Sequence, residues 1–109
     1  MDAESARPWR LLAVSAAAER EWEEAKAREP EIMRRVAERL QERPLDRSDN
    51  PRRTHRLKPP LDSIRIGDQR LPQWQHELSA AGRIHYCPHR DARIVWITMV
   101  NLRHPNTTA

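Results

Sequence analysis

The chain has no phenylalanine, one tyrosine, one cysteine and two glycines in 109 residues. The lone thiol, Cys87, excludes an internal disulfide and any zinc site built on several cysteines, and it fits a reducing cytoplasm. With only Gly67 and Gly82 there is no glycine-rich phosphate loop, so a nucleotide-dependent enzyme is not expected. No serine or cysteine stands in a nucleophile motif, and Cys87, beside Pro88 at a strand end, reads as inert. The opening MDAESARPWRLLAVSAAA has an early acid and only a short apolar run, which is not the pattern of a signal peptide. No stretch anywhere is long and apolar enough to span a bilayer. A cytoplasmic chain without a bound cofactor is the expectation.

What is present is charge, and it is unevenly spread. Charged residues make up 33% of the chain and apolar ones 38%, which is polar but within the range of folded proteins. Residues 15–42 carry eight acids and six bases, whereas residues 43–109 carry twelve bases and six acids. A basic C-terminal part points to phosphate, nucleic acid or an acidic protein as partner. An arginine-rich but functionally silent surface is the alternative. One domain, 1–109, is expected at this length, with residues 1–7 and 107–109 as flexible ends. Four tryptophans in place of phenylalanine suggest an aliphatic core with a few indole anchors.

Hydrophobic spacing divides the chain. PWRLLAV (8–14) reads as a first strand, and Ser15 as the cap of a helix bearing Ala18, Trp22 and Ala25 on one face. Pro30 suits the first position of a second helix, whose Ile32, Val36 and Leu40 form an apolar stripe flanked by Met33 and Ala37. Residues 44–60 form a long basic loop. Ile64 and Ile66 alternate before a Gly67-Asp68 turn, compatible with a short edge strand. The last third then reads as a three-strand antiparallel meander. Trp74, His76 and Leu78 share one strand face. Ile84 and Tyr86 alternate with Arg83, His85 and Cys87, and 94–100 is apolar enough for a central strand covered on both faces. The fold class is α+β.

This order, strand, helical hairpin, basic loop and meander, resembles the RelE/ParE toxin superfamily. HRLKPPL (55–61) is similar to its Leu-Lys element, QWQHEL (73–78) to its aromatic-led second strand, GRIHY (82–86) to its Arg-x-x-Tyr strand, and IVWITMVNLRHP (94–105) to its apolar last strand with a histidine-bearing end. The chain is similar also to small actinobacterial-type members that share the GR-I-x-Y strand and a His-Pro end. The resemblance implies a RelE-like fold and a toxin of a type II toxin–antitoxin pair, with an acidic antitoxin as partner. RelE-like, HigB-like and YoeB-like members cut mRNA on the ribosome without a metal. ParE-like members act on DNA gyrase instead, so the alternative is a non-nuclease toxin or binding protein with a protein target.

RNA cleavage by 2′-OH attack needs a base, an acid and cations for the phosphorane charge. Histidine serves the first two roles and arginine the third. The resemblance assigns Arg83 and Lys58 to the phosphate, His104 to proton transfer and His85 as its substitute. Arg52, Arg53, His55, Arg56 and Arg103 complete an RNA-binding set. Each has a plainer reading: Arg83 in a salt bridge with Glu77, Lys58 as a solvated loop residue, His104 as a turn residue before Pro105. His76 reads as a core or rim histidine and Tyr86 as core. His85, His89 and His104 lack metal-ligand spacing, so no metal is expected. The tail, Asn106 to Ala109, has no charge where several relatives place a final catalytic Tyr or Arg.

Overall fold

The computed structural model describes residues 7–47, 53–78 and 82–102. Strand β1 (Arg10–Ala13) leads into helix α1 (Ala16–Arg28) and helix α2 (Pro30–Glu42). Ser15 caps α1 as its sequence position requires, with Oγ accepting from the Ala18 amide at 3.1 Å. Pro30 occupies the first turn of α2, where its missing N–H costs no helical bond. The α2 stripe is buried through Met33, Val36 and Leu40, and α1 buries Ala18 and Ala25.

Strands β2 (Thr54–Arg56), β3 (Ser63–Ile66), β4 (Gln69–Pro72), β5 (Trp74–Glu77), β6 (Gly82–His89) and β7 (Ile94–Leu102) follow. The main sheet runs β1-β7-β6-β5-β2 and is mixed: β1 lies parallel to β7, and every other pairing is antiparallel. The architecture is therefore α+β, a helical hairpin on one face of a twisted sheet, and the last three strands form the expected meander.

Two features correct the sequence reading. The stretch 44–60 is not all loop, because Thr54, His55 and Arg56 add a fifth strand beside β5. Residues 63–72 do not supply an edge to the main sheet. They pair with each other as a separate hairpin, turning at Gly67, whose φ of 64° lies in the region that favours glycine.

The helices cover the sheet face that carries Trp74, Leu78, Ile84, Tyr86, Val95, Ile97 and Val100, and these side chains form the core with Met33, Val36 and Leu40. Tyr86 donates a hydrogen bond to the Pro44 carbonyl at 2.8 Å, which ties the α2–β2 connection to the sheet. The other face is only half covered, against the expectation for β7. Gln73 is almost fully buried there: its amide donates to the Leu61 carbonyl at 2.8 Å, and its oxygen accepts from Thr98 at 2.6 Å. Thr98 is the extra residue of a bulge, since His85 pairs with Met99 and Tyr86 with Ile97. Beyond this point, toward the ends of β5 and β6, the described side chains of the second face, among them Gln75, Glu77, Arg83 and His85, are half-buried. Among the described residues no helix is long and apolar enough to cross a membrane.

Candidate functional site

The half-buried part of the second face is built by register. Residues paired across antiparallel strands point to the same side, so His55 of β2, Gln75 of β5, His85 of β6 and Met99 of β7 form one row. Glu77, Arg83 and Asn101 form the neighbouring row. Two histidines and an arginine, from β2 and β6 on either side of β5, thus share one polar patch. By strand spacing, the backbones of His55 and His85 stand roughly 10 Å apart, with Gln75 between them.

His85 is half-buried, and its Nε2 lies 2.8 Å from Gln75 Oε1. An amide oxygen only accepts, so with this amide orientation Nε2 carries the proton and Nδ1 keeps the lone pair. Burial, then the Arg83 charge, then His55 hold the imidazole below its ordinary range of 6.5. It is a neutral ring, able to take a proton, at physiological pH. His55 Nδ1 donates to the Arg56 carbonyl at 3.1 Å, which orients the ring and leaves Nε2 for chemistry.

Arg83 faces Glu77 across the hairpin, the geometry its plainer reading needs. Yet no carboxylate among the described residues lies within the 4 Å of an ion pair with it, although such pairs form elsewhere on the surface. The charge of Arg83 is felt instead by His85.

The other expected residues are scattered. Lys58 is exposed in the turn after β2, where the Leu61 amide donates to its carbonyl at 3.0 Å. Arg56 pairs with Trp74, so it points to the helix side of the sheet edge, away from His55. Arg53 donates through Nη2 to the Glu77 carbonyl at 2.8 Å and lines a cavity on the helix side, not the histidine face. His104, Arg103 and Arg52 lie outside the described residues.

His76 is buried on the helix side, with Nδ1 2.7 Å from Thr54 Oγ1. Cys87 is fully buried, and burial pushes its thiol up to about 12. Among the described residues no group of three or more His, Cys, Asp or Glu is placed to hold a metal ion. Sequence reasoning gave His55 a minor place and Gln75 none. The signal was faint, a single Thr-His-Arg triplet inside a proline-rich basic loop.

Comparisons with protein-family models, with curated proteins and with solved structures found no match.

Proposed function

We propose that this chain is a toxin of the RelE/ParE kind that cleaves RNA by metal-independent 2′-OH attack, with mRNA on the ribosome as substrate and an acidic antitoxin as partner. The observation that carries this reading is the row His55, Gln75, His85, with Arg83 in the next row and no carboxylate among the described residues paired to it. Two imidazoles on either side of one phosphodiester supply a base and an acid. Neutral His85 takes the 2′-OH proton. The 2′-oxygen attacks phosphorus, the P–O5′ bond breaks to leave a 2′,3′-cyclic phosphate, and His55, entering in its imidazolium form, gives its Nε2 proton to the departing 5′-oxygen. Arg83 grips the nonbridging oxygens as charge builds on them. The two-helix hairpin and the three-strand meander support a RelE-like reading; the fifth strand β2 and the separate β3–β4 hairpin depart from the strand order that the resemblance implies.

The test is expression of the chain alone, with growth recorded and RNA ends mapped, then cleavage of an oligoribonucleotide by the purified protein. Wild type is expected to arrest growth and leave cyclic phosphate ends. His85→Ala should slow cleavage by about 10²–10⁴-fold, the usual weight of a general base. Arg83→Ala should slow it by about 10–100-fold, as a lost charge-assisted hydrogen bond does. Growth arrest with intact RNA and induced DNA damage would favour the ParE-like alternative, which needs neither histidine. Full cleavage by a folded His85→Ala protein would refute the assignment of the base.

A further inference from the structure

A concavity lies on the opposite, helix side of the sheet. Helix α2 and the β2–β5 edge enclose a cavity of about 270 Å³. Four of the eight residues that line it are arginines, Arg35, Arg39, Arg43 and Arg53, and none is acidic. Its floor is apolar, made by Ile32, Val36 and Leu78.

Two of the guanidinium groups are fixed. Arg39 is 8% exposed, and its Nη2 donates to the Asp46 carbonyl at 2.6 Å and to Thr54 Oγ1 at 3.2 Å. Arg53 is held against the end of β5 by its bond to the Glu77 carbonyl. The other two stand at the rim, with side chains 74% and 50% exposed. Arg35 has Glu31 at 3.5 Å, and Arg43 has Asp46 at 3.3 Å. The Arg35–Glu31 pair, exposed on both sides, is weak and exchanges readily for an incoming carboxylate, while the Asp46 side chain is only 29% exposed and Arg43 keeps the remaining donors of its fork for a ligand.

Guanidinium forks recognise carboxylate and phosphate alike, so the lining must decide between them. It contains no aromatic ring other than His76 on which bases could stack, whereas single-stranded RNA sites depend on such platforms. An aliphatic floor under a ring of arginines is complementary to a segment that alternates acidic and aliphatic side chains.

We propose that the cleft between α2 and the β2–β5 edge is a docking site for an acidic-aliphatic segment of a protein partner, its carboxylates held by Arg35, Arg43 and Arg53 and its aliphatic side chains lying on Ile32, Val36 and Leu78. The inference does not rest on RNA cleavage. The cleft and the histidine row lie on opposite faces of the sheet, so a partner seated here leaves His85 and Arg83 uncovered.

The experiment uses a fluorescein-labelled synthetic peptide of alternating glutamate and leucine, titrated with the full chain at low salt and read by anisotropy. Saturable binding is expected, weakened by added salt and by about tenfold for Arg35→Gln and for Arg43→Gln. Both side chains are exposed enough for the fold to be indifferent to the change. Arg83→Ala and the hairpin variant Arg65→Gln should bind as wild type does. Absence of saturable binding by wild type would overturn the proposal, as would equal losses in Arg65→Gln and Arg43→Gln. A single-stranded RNA probe is run beside the peptide. If the rim variants weaken the RNA as much as the peptide, the cleft belongs to nucleic acid and the partner assignment fails.

Discussion

Thr54→Val removes one hydroxyl and keeps the shape of the side chain, at a position where the hydroxyl joins three elements. Thr54 is 1% exposed. Its Oγ1 lies 2.7 Å from His76 Nδ1 on β5 and 3.2 Å from Arg39 Nη2 on α2. A hydroxyl has one proton and two lone pairs, so it can serve both partners at once. Valine serves neither. Loss of a hydrogen bond to a buried charged group costs about 1.5–3 kcal/mol, and the neutral bond to His76 adds about 1 kcal/mol. The greater hydrophobicity of valine returns roughly 1 kcal/mol. The net expectation is a loss of about 1.5–3 kcal/mol, which lowers Tm by about 6–13 °C in a domain of this size. β2 is only three residues long and sits at the sheet edge, so the damage is concentrated there. Amide exchange of His55 and Leu57, whose positions bond across to β5, should rise toward loop rates while β6 and β7 stay protected. RNA cleavage should fall further than the folded fraction explains, because His55 loses its register with Gln75 and His85. Thr54→Ser keeps the hydroxyl and should cost only about 1 kcal/mol. If valine melts within about 2 °C of wild type, or if serine and valine are equally destabilising, the hydroxyl is not the joint and this account of β2 is wrong.

Three other outcomes follow from particular contacts. Tyr86→Phe deletes the hydroxyl that reaches the Pro44 carbonyl and should lower stability by about 1–2 kcal/mol by thermal melting. RNA cleavage at a temperature where the variant is folded should not change, and a specific loss of cleavage would contradict the core role given to Tyr86. The His85 ring, followed by NMR, should titrate below 6.5, and Arg83→Gln should move its midpoint upward by removing one of the causes of the shift. The linkage sign follows: the unfolded chain takes this proton first, so the contribution of neutral His85 is complete above about 6.5 and is lost as the pH falls toward the folded value. A midpoint at or above 6.5 would remove the argument for a neutral base. Cys87, buried and with a thiol pushed up to about 12, should not react with iodoacetamide in the native protein, and modification faster than unfolding would contradict its burial.

The parts of this fold that sequence made legible are those in which local chemistry and tertiary packing agree. Ser15 and Pro30 mark helix starts by their backbone chemistry alone, and Met33, Val36 and Leu40 mark the buried side of α2 by period. Period two on β5 and β6 separated Trp74, Ile84 and Tyr86 from Gln75, Arg83 and His85 without any structure. What stayed hidden depended on partners distant in the chain. Thr54, His55 and Arg56 have no strand signal in their surroundings, and they become a strand because Arg39 and His76 hold Thr54 from the helix side. The β3–β4 hairpin was half visible, since Ile64, Ile66 and Gly67 predicted a turn. Nothing local could show that it would leave the main sheet. The bulge at Thr98 is equally silent in sequence, because it is defined only by which β6 residues face it.

The candidate site inherits this division. Arg83 and His85 lie in a strand whose pattern announces their face, and they could be named from sequence. His55 could not be weighed correctly, because its value comes from pairing with Gln75, and that pairing exists only once β2 has formed. A three-residue edge strand has little stability of its own, so its geometry is borrowed from the buried Thr54–Arg39–His76 contacts beneath it. The polar face and the arginine cleft therefore meet at β2: Thr54 and His76 turn toward the cleft, and His55 turns toward the patch. A ligand whose carboxylate bonds to Arg53, beside the start of β2, should steady β2 and with it His55. Occupancy of the cleft should then slow exchange of the His55 amide without touching the histidine row. If peptide binding leaves that amide unchanged, the two faces are energetically separate despite sharing a strand.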